Sequence, residues 1–357
     1  MNKTIVSMIL IALVLSACAA PTPPPPTVTS TAVPPTATAT SVPPTETPTP
    51  IPAFLTASKD LYTHRSGAFS FHPPEGWTLT ETDFDAQFLE PNGNGQVYVS
   101  VTNTGYALDE TGLANFVKAN ESNYFAAFFE DYKQDAQISN KYDPSTQSIQ
   151  VVKTLTSSGT PWHVVTNYYQ VGQTVMEVTF WILSENQADA YFPLLADMKF
   201  QEGTAANLMP YAFVHTFVDH NKLFQFDVPN AWTYEFSGDE QCYVDTFTSP
   251  DGQAAIQNIT CDTGQTMNQA AAGQFALGML NNAYTSGSGD IKISKDEPQP
   301  DGSEKLTWSS KKGGYSGVSF FETRGTRILL LTMFAGNTVY AVFDPTFGNV
   351  ISTYKVP

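Results

Sequence analysis

The chain has 357 residues, 41% of them apolar and 13% aromatic, which excludes global disorder and leaves room for two or three ordinary domains. Only 14% are charged, below the roughly 25% of average globular domains, and Thr, Ser, Asn and Gln take their place. With 34 acidic against 17 basic residues the net charge is −17, a surface that repels nucleic acid and anionic headgroups and suits a basic partner, a cation or a neutral glycan.

Lys3 gives a positive start, and Ile5 to Leu15 form an apolar run of signal-peptide length, too short to span a bilayer easily. The run closes in Leu15-Ser16-Ala17-Cys18, which resembles the lipobox of bacterial lipoproteins. That resemblance implies removal of residues 1–17, diacylglyceryl on the Cys18 sulfur and acylation of the new amine. An ordinary leader cut near Ala17 or Ala20 is the alternative. Two or three acyl chains, at about 0.8 kcal/mol per buried methylene, anchor stably, so the expected place is the outer face of the cell membrane.

Residues 18–53 read as a tether. Positions 21–52 hold 12 Pro and 10 Thr, and Pro fixes φ and removes donors, so this stretch builds neither helix nor ladder. At about 3.1 Å per residue it reaches roughly 100 Å when extended. The readings are a spacer, an O-glycosylated stalk or a ligand for a Pro-binding domain.

Beyond the tether the chain repeats itself. Phe69-Ser70-Phe71-His72-Pro73-Pro74-Glu75-Gly76-Trp77 matches Phe224-Gln225-Phe226-Asp227-Val228-Pro229-Asn230-Ala231-Trp232, and Thr104-Gly105 parallels Thr263-Gly264. The period of about 155 residues is the size of a domain rather than of a solenoid repeat. Two domains are therefore expected, 54–203 and 211–357, joined by a linker at 204–210.

Each repeat opens with a strand burying alternate Phe residues, Phe69/Phe71 and Phe224/Phe226, followed by Trp77 or Trp232 as a core lid. A hairpin then turns at Pro91-Asn92-Gly93 and at Pro250-Asp251-Gly252. A helix follows, with Leu113, Phe116, Val117, Asn120, Tyr124 and Phe128 near one face and Asp109 as its cap; its counterpart covers Met267 to Asn282. Strands are predicted at Ile149–Thr156, Trp162–Val171 and Thr174–Leu183, and at Lys305–Ser310, Gly317–Thr323 and Arg327–Phe334. Each repeat closes with a helix, one from the capping-box pattern Ser184-Glu185-Asn186-Gln187 and one from Asn337, kinked or delayed by Pro193 and Pro345. The fold class is α+β: antiparallel sheets with packed helices.

A lipoprotein leader, an F-x-F-x-x-P-x-x-W opening, a helix after the first hairpin, three strands and a last helix resemble the PsbP/Mog1-like superfamily. The resemblance implies tandem layered α+β domains and docking or accessory roles without a shared reaction. It carries no metal-retention residues over to this chain.

Besides Cys18 there are Cys242 and Cys261. A hairpin turning at Pro250-Asp251-Gly252 places them opposite each other on adjacent strands, so a disulfide is expected in an oxidising compartment. Free thiols and a metal pair are the alternatives.

No catalytic set emerges. Asp262-Thr263-Gly264 has the aspartic-protease tripeptide, but its counterpart Asn103 cannot ionise, and a strand exit is the plainer reading. His64, His72, His163, His215 and His220 show no metal-ligand spacing, and the acidic pairs Asp83/Asp85, Glu130/Asp131 and Asp239/Glu240 lack the order of a calcium loop. Part of the aromatic cluster Tyr124, Phe125, Phe128, Phe129 and Tyr132 can spill over into a docking patch. No metal, cofactor or catalytic residue is expected, and ligand-binding residues stay unassigned. The tether, the duplication and the missing catalytic set favour a non-enzymatic binding or accessory module of the cell envelope, with an envelope protein, glycan or small ligand as partner. An envelope hydrolase or transferase with a site assembled from distant strands is the rival, and a concave pocket with a buried His or carboxylate would favour it. A structural envelope protein is the third class.

Overall fold

The computed structural model describes residues 55–355; the leader, the tether and Cys18 lie outside the described residues. The first half opens with β1 (Tyr62–Thr63), β2 (Phe69–Phe71), β3 (Thr78–Glu81), β4 (Asp85–Leu89) and β5 (Gly95–Asn103). Helix α1 (Glu110–Asn120) runs into a π-helical turn, Glu121–Phe125, and the single turn α2 (Ala126–Phe128). Then come β6 (Glu130–Gln134), β7 (Lys141–Asp143), β8 (Ser148–Ser157), β9 (Thr160–Val171), β10 (Thr174–Ile182), α3 (Ala188–Asp197) and β11 (Lys199–Phe200). The second half contains β12 (Val214–Val218), β13 (Gln225–Pro229), β14 (Thr233–Gly238), β15 (Cys242–Thr248), β16 (Ala254–Asp262) and α4 (Gln269–Tyr284). It ends with β17 (Ile291–Pro298), β18 (Glu304–Ser310), β19 (Tyr315–Arg324), β20 (Arg327–Gly336) and α5 (Tyr340–Thr353).

The first large sheet has the order β3-β4-β5-β10-β9-β8-β6, with β7 paired to β8; the second has β14-β15-β16-β20-β19-β18-β17. Neighbouring strands are antiparallel, so the architecture is α+β with the same path in both halves. Equivalent rungs can be recognised from chemistry. Thr166 and Thr179 hydroxyls meet at 3.1 Å across β9 and β10, as Ser319 and Thr332 hydroxyls meet at 3.0 Å across β19 and β20.

Period-2 alternation divides each sheet into two faces. In the first, Val97, Val99, Val101, Val178 and Phe180 pack against Tyr191 and Leu194 of α3. In the second, Ile256, Leu329, Leu331 and Met333 meet Phe343, Phe347 and Val350 of α5. The other face of the second sheet is covered by α4, whose Ala272, Ala276, Leu280 and Tyr284 close over Ile259, Trp308, Phe321 and Leu330. The corresponding face of the first sheet lies under α1 and sets the buried polar side chains of Lys153, Thr166 and Thr179 among Ile149, Val151 and Val175.

The halves share a core: Leu113, Phe116 and Val117 of α1 belong to one cluster with Phe224, Phe226 and Trp232. Polar contacts fix the seam. Asn123 Nδ2 donates to the carbonyls of Asn230 and Trp232 at 2.8 Å each, Asn115 Nδ2 to Pro250 O at 2.8 Å, and Thr346 Oγ1 to Pro210 O at 2.8 Å. The segment Gly203–Asn207 forms a 3₁₀ turn with Ala205 fully buried.

The expected core strands and hairpins are present, with the turn glycines Gly93 and Gly252 at φ 76° and 72°, where a Cβ would be strained. Asp109 Oδ1 accepts from Gly112 N at 2.8 Å as the cap of α1. Some expectations are corrected. Strands β6, β7 and β17 were not anticipated, because these edge segments are polar and mostly exposed and lack an apolar period. Ser184 makes no side-chain cap; a 3₁₀ turn at Glu185–Gln187 precedes α3. Pro193 and Pro345 both lie inside their helices. Trp232 is fully buried, whereas Trp77 is half-buried and does not act as an equivalent lid.

Candidate functional site

The polar face of the first sheet carries the site. Alternation in β5 turns Tyr98, Ser100 and Thr102 away from the valine face, and Glu177 of β10 stands directly opposite Ser100. Helix α1 crosses this face and relaxes into the π-helical turn, a distortion that concentrates at functional sites. The turn follows directly on Asn120 and carries Glu121 and Tyr124.

A buried network results. Lys153 Nζ donates to Glu121 Oε1 at 2.6 Å and to Thr166 Oγ1 at 3.0 Å, and lies 3.1 Å from the centre of the Phe125 ring. Tyr168 Oη and Tyr132 Oη donate to the two oxygens of Glu121, each at 2.8 Å. Asn120 Nδ2 bridges Tyr168 Oη at 3.0 Å and Glu177 Oε2 at 3.1 Å, and Thr179 Oγ1 donates to Glu177 Oε1 at 3.1 Å. Burial pushes the Glu177 carboxyl up to about 7; the Glu121 charge adds to the rise and the Lys153 charge opposes it. Burial also pulls the Lys153 ammonium down, against the stabilising charge of Glu121.

The second half carries a more apolar version of this face. Trp308 Nε1 donates to Ser319 Oγ at 2.9 Å, much as Lys153 does to Thr166. Tyr168 pairs with Glu177 in the first sheet; the equivalent pair in the second is Phe321 with Leu330. A polar network on one side thus corresponds to a largely apolar core on the other.

At the seam the polar face opens into a cavity of about 280 Å³, just under the roughly 300 Å³ at which ligand pockets commonly begin. Asp85, Tyr98, Ser100 and Glu177 come from the sheet, Phe116, Asn120 and Tyr124 from α1 and its π turn, and Tyr211, Phe213 and Asn230 from the second half. Tyr211 is 1% exposed, yet its hydroxyl has no hydrogen-bond partner. Its φ of 54° is a sterically costly backbone for a bulky residue. A buried unpaired hydroxyl costs about 1–3 kcal/mol; its nearest polar neighbours, Asp251 and Tyr106, lie outside the cavity lining. The lining holds two carboxylates, several aromatic rings and, among the described residues, no Lys, Arg or His. This donor-hungry, π-rich surface suits a small organic cation. Tyr98 Oη donates to Asp85 Oδ2 at 2.9 Å, which leaves the second partner of that carboxylate to Thr82 Oγ1 at 2.6 Å.

A larger cleft of about 420 Å³ lies between β19, β20 and α5, with Phe320, Leu329, Ile351 and Tyr354 in its walls. Arg324 Nη2 lies 3.1 Å from Glu322 Oε2 there, Glu322 Oε1 is buried without a hydrogen-bond partner, and Asp301 also lines the cleft.

Cys242 and Cys261 are paired across β15 and β16 and disulfide-bonded, with Cα atoms 4.1 Å apart. Asp262 ends β16 and accepts from Gly264 N at 3.0 Å, the same strand exit as Asn103, which accepts from Gly105 N at 2.8 Å. Of the acidic pairs, Asp83 meets Arg65 at 3.1 Å while Asp85 enters the seam cavity. His72 pairs with Asp197 at 2.9 Å, and His64 is buried against Ser66 at 2.7 Å. In the aromatic cluster Phe125 is buried and Phe128 exposed, while Tyr124 lines the cavity at its rim. Sequence reasoning missed Glu177, Lys153 and Tyr211. A lone charge inside the β-rich runs Thr174–Ile182 and Ser148–Ser157 was the signal available for the first two.

No protein family matches the chain, and no curated protein does. Among solved structures it is similar to PsbP (CyanoP) of Synechocystis, at 14% identity over 41% of this chain and 94% of that one, with a TM-score of 0.34. It is also similar to a protein of Bacteroides thetaiotaomicron, at 13% identity over 45% of this chain and 53% of that one, with a TM-score of 0.28. A third likeness is to the immunity protein TplEi of the Pseudomonas aeruginosa T6SS, at 13% identity over 79% of this chain and 97% of that one, with a TM-score of 0.22. These scores place the chain in no family.

Proposed function

We propose that this protein is a lipid-anchored extracytoplasmic lipoprotein of two tandem PsbP/Mog1-like domains, acting as a non-enzymatic binding module of the cell envelope. Its ligand is a small organic cation, an alkylammonium or amine, taken up in the cavity at the seam. The observation that carries this reading is a seam cavity walled by aromatic rings whose charged lining, among the described residues, is the two carboxylates Asp85 and Glu177. A cation there meets Glu177 and the aromatic walls, and its attraction to the rings gains strength from the loss of water. The Cys242–Cys261 disulfide supports an oxidising compartment. The lipobox resemblance at Cys18 supports the anchor.

The experiment is calorimetric titration of the full-length protein in detergent with alkylammonium ions and with neutral isosteres of the same size. Binding of the cation, and its loss by at least about tenfold in Glu177→Gln, is expected; no binding, or equal binding of the neutral isostere, overturns the reading.

The rival, an envelope hydrolase or transferase, draws on the same half-buried carboxylate, since a carboxyl poised near neutrality is suited to acid–base work. The binding reading is preferred because the lining sets its two carboxylates among aromatic rings, a surface suited to holding a cation. Turnover of a hydrolase substrate panel that disappears in Glu177→Gln would reverse that preference.

A further inference from the structure

We propose that Asp219, His220 and Asp245 form a binding site for one divalent transition-metal ion, of which Zn²⁺ is the best match. The site lies in the second half and is independent of the seam cavity. One ligand atom from each of the three side chains falls within 4.8 Å of the others. His220 Nδ1 stands 3.3 Å from Asp219 Oδ1. A tetrahedral ion with bonds of about 2.0 Å has ligand–ligand edges of about 3.3 Å, so this pair already has the required spacing.

The surroundings hold these groups for a further partner. Asp219 Oδ2 accepts from the backbone N–H of Asn221 at 3.0 Å and of Leu223 at 3.1 Å, and Tyr243 Oη donates to Oδ1 at 3.1 Å. Tyr234 Oη donates to Asp245 Oδ1 at 2.8 Å. Asp245 Oδ2 is buried with no hydrogen-bond partner, in a residue with no exposed surface. A buried carboxylate oxygen left unpaired is costly, and a cation shared with Asp219 removes both that cost and the repulsion between the two acids. Oxygen from two carboxylates plus an imidazole nitrogen suits Zn²⁺, and three protein ligands leave a fourth position for water. His220, 47% exposed, stands at the solvent edge and gives the ion a way in. Asn221 Nδ2 lies 2.9 Å from His220 Nε2. When Nδ1 binds metal, Nε2 carries the proton, and a turned Asn221 amide presents its oxygen to it, orienting the ring from the outer shell.

The first half lacks this set at the same place. His64 N donates to Phe69 O as Asp219 N does to Phe224 O, both at 3.0 Å, so His64 stands where Asp219 does. Ala86, opposite Val99, stands where Asp245 is, opposite Asn258. The paired acids are a feature of the second half alone.

The test uses full-length protein in detergent, stripped with a chelator and titrated with Zn²⁺ by calorimetry, with bound metal counted by mass spectrometry. One Zn²⁺ per chain is expected. Asp245→Asn should weaken it by at least about a hundredfold and His220→Ala by at least about tenfold, while Glu177→Gln in the seam cavity leaves it unchanged. Because His220 is at the surface, its variant folds even where Asp245→Asn does not. A wild-type chain that retains no Zn²⁺, or a His220→Ala chain that binds it as tightly as wild type, overturns the proposal.

Discussion

Lys153 Nζ and Glu121 Oε1 lie 2.6 Å apart, with 0% and 2% of their side chains exposed, in a sheet whose twin has tryptophan in place of the lysine. Removing one member of such a pair strands the other charge. Lys153→Met is therefore expected to cost about 3–5 kcal/mol in urea unfolding, and the double change Lys153→Met with Glu121→Gln to recover most of that. A single variant as stable as wild type would show that the ammonium is not needed to neutralise Glu121.

Glu177 gives a pH dependence whose sign is fixed. Its folded value of about 7 lies above the unfolded value of about 4.3, so between them the native state holds a proton that the unfolded chain releases. Stability should fall as pH rises through this window, by on the order of 3 kcal/mol when complete. Glu177→Gln keeps a neutral group there. Its Tm should match wild type at pH 5 and exceed it at pH 8; parallel pH curves would contradict the raised carboxyl.

The Cys242–Cys261 bridge closes a loop with a sequence separation of 19. Reduction, or the double change to Ser, should lower unfolding free energy by roughly 3 kcal/mol in the chain-entropy account. Equilibrium unfolding with and without reductant measures it.

The two tryptophans should behave differently despite their matching motif. Trp232 is fully buried, with ring contacts to Tyr211 and Phe343 at 5.9 Å, so Trp232→Ala should cost about 3–5 kcal/mol. Trp77, half-buried against Tyr191 at 6.3 Å, should cost about 1–2 kcal/mol. Equal losses would mean that the Trp77 side chain is as enclosed as its partner.

The proposed anchor has its own check. Cys18→Ser should move the protein from the membrane fraction to the soluble extract, and mass spectrometry of the wild-type amino terminus should show a lipid-modified Cys18. An unmodified thiol there would remove the anchor.

Much of the fold could be read from residues close together in the chain. Alternating Phe69/Phe71 and Phe224/Phe226, turn glycines at Gly93 and Gly252, and the Asp109 cap are local signals, set by backbone sterics and period-2 burial. The Cys242–Cys261 pairing was legible for the same reason, since hairpin register follows from the turn between them. Edge strands such as β6 and β17 escaped because most of their residues are polar and exposed, leaving too few apolar positions to mark a period.

Neither site could be read this way. Glu177, Asn120 and Tyr211 meet only because α1 crosses one sheet face and the second half closes its end. Asp219 and Asp245 meet only because two hairpins stack. Turns and alternation act over a few residues and are written locally, whereas the desolvation and charge pairing that define a site depend on which distant side chains are packed together away from water.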